Sequence, residues 1–528
     1  MNRNLNRKLK WNNKFCIVLI VLAFVLGLAV SNDYGTYWDQ FTEERILMQN
    51  MYEYMSYFPN SGWEDIISLS AERDHGVAPY YPLGIYWLCR ILSPGSMDFP
   101  AGTSALWHYY TFFLFFLGCL AFYGIVYELF RSHKLSLVCF FLCYLSPRFF
   151  AEGHYNNKDI VMLTLSLLCV YFGIRYIREQ KLRHGLFLAL SAAFMTNVKI
   201  LGAWFFAVPG IVYLIVNIRK RRVSGSKVMD GINVILAYFI VYAAITPALW
   251  KEGIGFLEYC LSNASSFSRW GGMVVYAGKS FLLPDDPVPK DYLALNILYT
   301  TPLLLLFFSL VGHIRAVAAM VRKEKETPFY AMILLLNLVP FLYSLMNKNL
   351  VIYNGWRHFY FLYGGILIFA AVGLKAILSC LKSRPLRYAV CAGSLTWLLC
   401  LVVMGHPFQY SYLNLLAKRP AEGNWQLDYW NVGGIPVLTR LYESGERDRN
   451  LDLTVTGLGP LEFDLKYVCQ WGEAVRYLSS EEIRESGIPA NYVICNTTFD
   501  TPPEEGYHLL FETGAYGSCL YRVYEIDL

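Results

Sequence analysis

Apolar runs of bilayer-spanning length recur from Phe15 to Met404, and clusters of basic residues fall in alternate gaps between them. The runs lie at 15–30, 105–130, 135–147, 159–177, 185–198, 201–218, 232–250, 294–314, 329–346, 359–378 and 386–404, giving about eleven spans by the apolar-length criterion, of which 135–147 and 185–198 are short. With 55% hydrophobic and only 16% charged residues in 528, a soluble fold could not bury so much apolar surface. The first run follows the basic stretch Met1 to Lys14 and lacks a small-residue cleavage pattern before Ser31-Asn32-Asp33, so it is expected to be retained as a helix. Arg131/Lys134, Arg175/Arg178/Lys181/Arg183, Arg219 to Arg222, Arg322/Lys323/Lys325 and Lys382/Arg384/Arg387 then share one side, which the positive-inside rule makes cytoplasmic. The expectation is a multi-pass protein of the plasma membrane with a cytoplasmic N-terminus. Its outer segments are the loops 31–104, 148–158, 251–293 and 347–358 and the tail from Gly405.

The tail reads differently. Leu451-Asp452-Leu453-Thr454-Val455, Asn491 to Cys495 and Cys519 to Tyr524 have the character of strands, and 479–487 that of a helix. The fold class expected is therefore a polytopic α-helical membrane domain, 1–404, followed by a small extracytoplasmic α/β domain, 405–528. Cys469, Cys495 and Cys519 form an odd set where disulfides can form, while most other cysteines sit in apolar runs as packing residues. No Gly-rich phosphate loop, HExxH, CxxC or metal-ligand spacing occurs, so no metal or other cofactor and no nucleic-acid partner is expected.

Chemistry concentrates in the outer segments. Asp33 and Asp39 stand just beyond the first span, where a carboxylate suits a base acting on a lipid-linked substrate; equally, both could cap the amphipathic segment Glu43 to Phe58. The stretch Arg148 to Asp159 packs Glu152, His154, Asn156, Asn157, Lys158 and Asp159 between short apolar segments, a density unusual in a connector, although solvated loop and helix cap would also account for it. Lys199 falls at the outer face, placed for an anionic phosphate or for snorkelling. Arg357 and His358 open a span, and the planar fork of Arg suits phosphate oxygens as well as a structural carboxylate. The aromatics around His406 to Asn414 and Leu427-Asp428-Tyr429-Trp430 fit sugar stacking or an interfacial girdle.

Taken in order, Trp38-Asp39, Phe150 through Asn156-Asn157-Lys158-Asp159, Val198-Lys199-Ile200-Leu201-Gly202, Tyr353-Asn354-Gly355-Trp356-Arg357-His358, and His406 to Tyr410 followed by Asp428-Tyr429-Trp430 resemble the GT-C superfamily of membrane glycosyltransferases. Within it they are similar to bacterial relatives of protein O-mannosyltransferases and of the aminoarabinose transferase that modifies lipid A, of the glycosyltransferase family 39 type. The resemblance implies an inverting transfer, at the outer leaflet, from a polyprenyl-phosphate-linked sugar to a hydroxyl on a protein, glycolipid or cell-envelope glycan. It implies that Asp39 is the base, with Asp33 in reserve. Arg357 and Lys199 would hold the donor phosphate, and His154, Asn156, Lys158, Asp159 and His358 would position substrate. Where the family pattern commonly has Asp-Glu this chain has Asp39-Gln40, which leaves one acid at the motif and argues against a metal-assisted mechanism. A transporter or flippase for a lipid-linked sugar, or an inactive polyprenyl-phosphate-binding scaffold, is the alternative; the polar residues gathered at one membrane face favour chemistry over passage.

Overall fold

The computed structural model describes residues 2–57, 70–91, 103–266, 269–347, 350–444, 453–457, 459–469, 471–500, 502–503 and 505–527. In chain order the membrane part comprises α1 (Asn2–Ala29), α2 (Gln40–Ser56), α3 (Tyr81–Ile91), α4 (Thr103–Phe130), α5 (His133–Tyr144), α6 (Pro147–Tyr155), α7 (Asp159–Glu179), α8 (Leu182–Val198) and α9 (Gly202–Arg219). It continues with α10 (Gly225–Ala244), α11 (Pro247–Glu252), α12 (Ile254–Ser265), the hairpin β1 (Gly272–Tyr276) and β2 (Lys279–Leu283), α13 (Tyr292–Thr300), α14 (Leu303–Val321), α15 (Thr327–Met346), α16 (Phe361–Cys380) and α17 (Arg384–Gly405). Among the described residues nine helices are long and apolar enough to cross a bilayer, ten if the bent pair α5–α6 forms one span. The remaining short run is α8, with 17 residues.

Two runs are not the single helices expected. The stretch 294–314 is broken at Thr301-Pro302, because proline has no amide to continue the ladder of α13 and its ring disfavours helix in the residue before it. The stretch 232–250 ends at Ala244 for the same reason, with Pro247 opening the short α11. A third proline, Pro147, separates α5 from α6, and the two axes differ by 71°. That bend turns α6 sideways and buries all nine of its residues, Glu152 and His154 included.

Helices α14 and α16 lie backbone to backbone. A Cβ at Gly312 would lie 1.8 Å from the Phe369 carbonyl oxygen, and one at Gly373 would lie 1.9 Å from that of Phe308. Small residues let the backbones touch where lipid supplies no hydrophobic drive to pair them. Gly312→Val is expected to separate the pair and abolish the monodisperse peak of the detergent-purified protein on size exclusion, whereas Gly393→Ala, with nothing within 4 Å, leaves it intact.

The tail carries α18 (Gly434–Glu443), β3 (Thr454–Gly457), α19 (Pro460–Phe463), β4 (Arg476–Tyr477), α20 (Ser480–Ser486), β5 (Tyr492–Asn496), β6 (Tyr507–Ala515) and β7 (Ser518–Ile526). Its sheet runs β4-β3-β5-β7-β6, parallel between β3 and both its neighbours and antiparallel from β5 onward. The expected strands and helix are all present, with Leu451 and Asp452 outside the described residues. Val437, Leu438 and Leu441 of α18 belong to one apolar cluster with Val455, Ile494 and Val523 of the sheet, Val274 and Tyr276 of the hairpin and Tyr353. Among the described residues, Cys469 and Cys519 form no disulfide.

Candidate active site

The loop between α1 and α2 is held by the tail. Gly35 donates its amide to the Val432 carbonyl at 2.8 Å and Thr36 donates to Asp464 Oδ1 at 2.6 Å, while the Phe41 and Phe463 rings lie 4.1 Å apart. These contacts fix the entry to α2, whose N-terminus is Asp39. The side chain of Asp39 makes no capping bond there; its Oδ2 faces Arg357 Nη1 at 3.5 Å instead, and the carboxylate is 40% exposed. Asp33 is separately engaged, accepting from or sharing a proton with His406 Nε2 at 2.8 Å.

Arg357 follows a turn in which Asn354 and Gly355 both have positive φ, 55° and 74°. Glycine adopts that conformation without a Cβ clash. The broken helix braces this turn: the Tyr292 hydroxyl accepts from the Gly355 amide at 2.7 Å and Trp356 Nε1 donates to Thr300 Oγ1 at 2.8 Å, so the interruption at Pro302 serves the site. The guanidinium is only 7% exposed and lies within 4.8 Å of the Trp430 ring, 5.1 Å of Tyr353 and 5.5 Å of Tyr429. Such a cage orients a cation and excludes water from it.

Asp159, wholly buried, joins the two cations: Oδ1 accepts from Lys199 Nζ at 2.6 Å and Oδ2 lies 3.7 Å from Arg357 Nη1. Asn156 supports it, its Oδ1 accepting from the Asp159 amide at 2.9 Å. Lys199 also lies 3.4 Å from His358 Nδ1, and since an ammonium only donates, Nδ1 accepts and Nε2 carries the imidazole proton. Burial, with Lys199 and Arg357 alongside, holds the His358 imidazole well below its ordinary pKa, so it is neutral. Among the described residues its Nε2 has no partner, nor has Arg357 Nε. Lys199 and Arg357 face the buried Asp159 and the partly exposed Asp39, and the unused Arg357 Nε and His358 Nε2 leave donors to receive the oxygens of an anion.

Of the residues singled out in the sequence, Asp39, Arg357, Lys199, Asn156, Asp159 and His358 thus come together. Lys158 pairs with Glu43 of α2, which also accepts from Asn157 at 3.3 Å, so it ties α2 to α7. His154 lies in the aromatic core, stacked between Tyr34 and Phe112 at 4.8 and 4.7 Å with Ser31 Oγ on Nδ1. Sequence reasoning gave no site role to Glu43, Glu152, Glu72 or Arg269. Glu72 pairs with His75 at 2.7 Å and faces Arg269, and that hydrogen bond, with burial opposing it, pulls its carboxyl down to about 2. Among the described residues no three His, Cys, Asp or Glu side chains are arranged to hold a metal.

Asp464 gives the clamp on the first loop a pH dependence. Burial, offset only in part by the Thr36 amide, pushes its carboxyl up to about 8 from near 4. A carboxyl raised in the fold contributes stability that is whole below its unfolded pKa and lost as pH rises through about 8. The melting temperature in detergent is therefore expected to fall between about pH 4 and about pH 8 and to level off above, and Asp464→Asn to flatten that part of the curve. An unchanged slope in the variant would contradict this assignment.

Residues 106–245 match the family model described as dolichyl-phosphate-mannose-protein mannosyltransferase. That stretch of the membrane region is similar to that family. The match runs from α4 to α10 and includes Glu152, Asn156, Asp159 and Lys199, but neither Asp39 nor Arg357. Among solved structures, ArnT from Cupriavidus metallidurans bound to undecaprenyl phosphate aligns over 96% of this chain and 97% of its own at 10% identity, TM-score 0.45. The apo state of the same protein aligns over the same shares at 11% identity, TM-score 0.42. No curated protein matches the chain.

Proposed function

We propose that this protein transfers a sugar from a polyprenyl phosphate, of which undecaprenyl phosphate is one form, to an acceptor hydroxyl at the extracytoplasmic face of the membrane. The observation that carries the reading is the pairing of a partly exposed carboxylate, Asp39, with a buried, caged cation, Arg357, at 3.5 Å. Asp39 is open to an incoming hydroxyl and takes its proton as the oxygen attacks the anomeric carbon. The bond from that carbon to the phosphate oxygen breaks from the opposite side, which inverts the carbon. The electrons leave with the lipid phosphate, where Arg357 and Lys199 neutralise the growing charge. Asp159, supported by Asn156, bridges and orients the two cations, and the Nε2–H of neutral His358 is a further donor for an oxygen of donor or sugar.

The family match supports a lipid-linked sugar donor, since the proteins of that description use dolichyl phosphate mannose. The test is release of lipid phosphate from radiolabelled polyprenyl-phosphate sugars by the detergent-purified protein, with membrane extract supplying acceptors. Turnover identifies the donor sugar. Binding of every donor with none turned over, even with acceptors present, would replace this reading with a flippase or a binding scaffold.

A further inference from the structure

Glu152 stands at the centre of the site without touching the cations that define it. It is wholly buried in α6, and its Oε1 accepts from Trp430 Nε1 at 2.9 Å and Asn156 Nδ2 at 3.0 Å, while Oε2 accepts from the Tyr360 hydroxyl. Those donors come from the tail, from the end of α6 and from the turn that leads into α16. Burying a carboxylate is costly, and where only packing is needed an apolar group serves as well or better. Arg148 lies near enough to offset part of its charge, yet no hydrogen bond joins the two among the described contacts.

Each donor leads back to the same place. The ring of Trp430 lies 4.8 Å from the Arg357 guanidinium. Asn156 reaches on to Asp159 Oδ2 at 3.4 Å, the oxygen that faces Arg357, and Asp159 Oδ1 holds Lys199. Tyr360 closes the short turn begun by Arg357, its amide bonding the Arg357 carbonyl at 3.2 Å. We infer that Glu152 is a positioning residue: by fixing Trp430, Asn156 and Tyr360 together it sets the cage and counter-ion that aim Arg357 at the donor phosphate. This deepens the proposed transfer and rests on it. A carboxyl group suits the place because the Trp430 and Asn156 N–H groups can only donate and the Tyr360 hydroxyl donates here, while both of its oxygens are turned to accept. A glutamine would turn an N–H toward at least one of these donors.

The experiment measures affinity for undecaprenyl phosphate in the detergent-purified full chain. Glu152→Gln is expected to weaken binding by on the order of 10-fold or more through misplacement of Arg357. In an Arg357→Lys background the same change is expected to add less than about 2-fold, since residues acting through one group are not additive. A merely structural glutamate would lower the yield or melting temperature and weaken binding by the same factor in both backgrounds, and that equality overturns the inference. If Glu152→Gln does not fold, Trp430→Phe removes a single donor while keeping a ring; affinity equal to wild type in that variant also overturns it. A wild-type protein that binds no undecaprenyl phosphate overturns the donor reading and this inference with it. A wild type that binds, matched by both variants, overturns the inference alone.

Discussion

Asp39→Asn is expected to lower sugar transfer by about 10²-fold to 10⁴-fold, the range a positioned general base contributes, while donor binding stays within a few-fold of wild type. The asymmetry follows from where the carboxylate lies. It is 40% exposed and its contact with Arg357, at 3.5 Å, is long, so an amide of the same shape leaves packing and phosphate site largely as they were. What it removes is the proton acceptor. Asp33→Asn makes the comparison sharp: Asp33 is half exposed and engaged with His406, and its loss should cost little. Turnover by Asp39→Asn at the wild-type rate, or a larger loss in Asp33→Asn, would reassign the base.

The second large effect is expected at Arg357. Truncating one member of a buried charge pair costs several kcal/mol, so Arg357→Ala should weaken binding of undecaprenyl phosphate by about 30-fold to 10³-fold and reduce turnover further. Arg357→Lys should restore little of this. An ammonium keeps the charge but not the flat face that packs among Trp430, Tyr353 and Tyr429, nor a fork able to engage two oxygens at once. Both variants are read by titrating lipid phosphate and by single-turnover transfer. If affinity is unchanged while the melting temperature falls, Arg357 serves only as a structural counter-ion to Asp159.

The membrane architecture was legible because its cause is local. Apolar length and the placement of basic residues are one-dimensional properties, and each run became helix, including the short ones now seen as α5 and α8. The departures at Pro247 and Pro302 were written in the sequence too, but a window that averages hydropathy is blind to a single missing amide. The site was half legible. Asp39, Asp159, Lys199 and Arg357 stand out as charges at the edge of apolar runs, which is why they could be picked without knowing which of them meet. Glu152 could not be separated from its neighbours, since its importance lies in donors contributed from Asn156, Tyr360 and Trp430, scattered along the chain. His154 drew notice for its chemistry, but its rings on either side, Tyr34 and Phe112, are visible only in three dimensions.

Trp430 has a further consequence through the order in which the protein is made. The wall of the Arg357 cage and the Asp464 clamp on the first loop both come from the tail, which follows the membrane helices in the chain and so is made after them. Every membrane helix can be inserted while the cation site still lacks that wall and the Asp39 loop still lacks its brace. In the proposed mechanism, competence therefore comes only once the tail has followed the helices, and a nascent chain stalled before it would sit among lipid-linked sugars without consuming them.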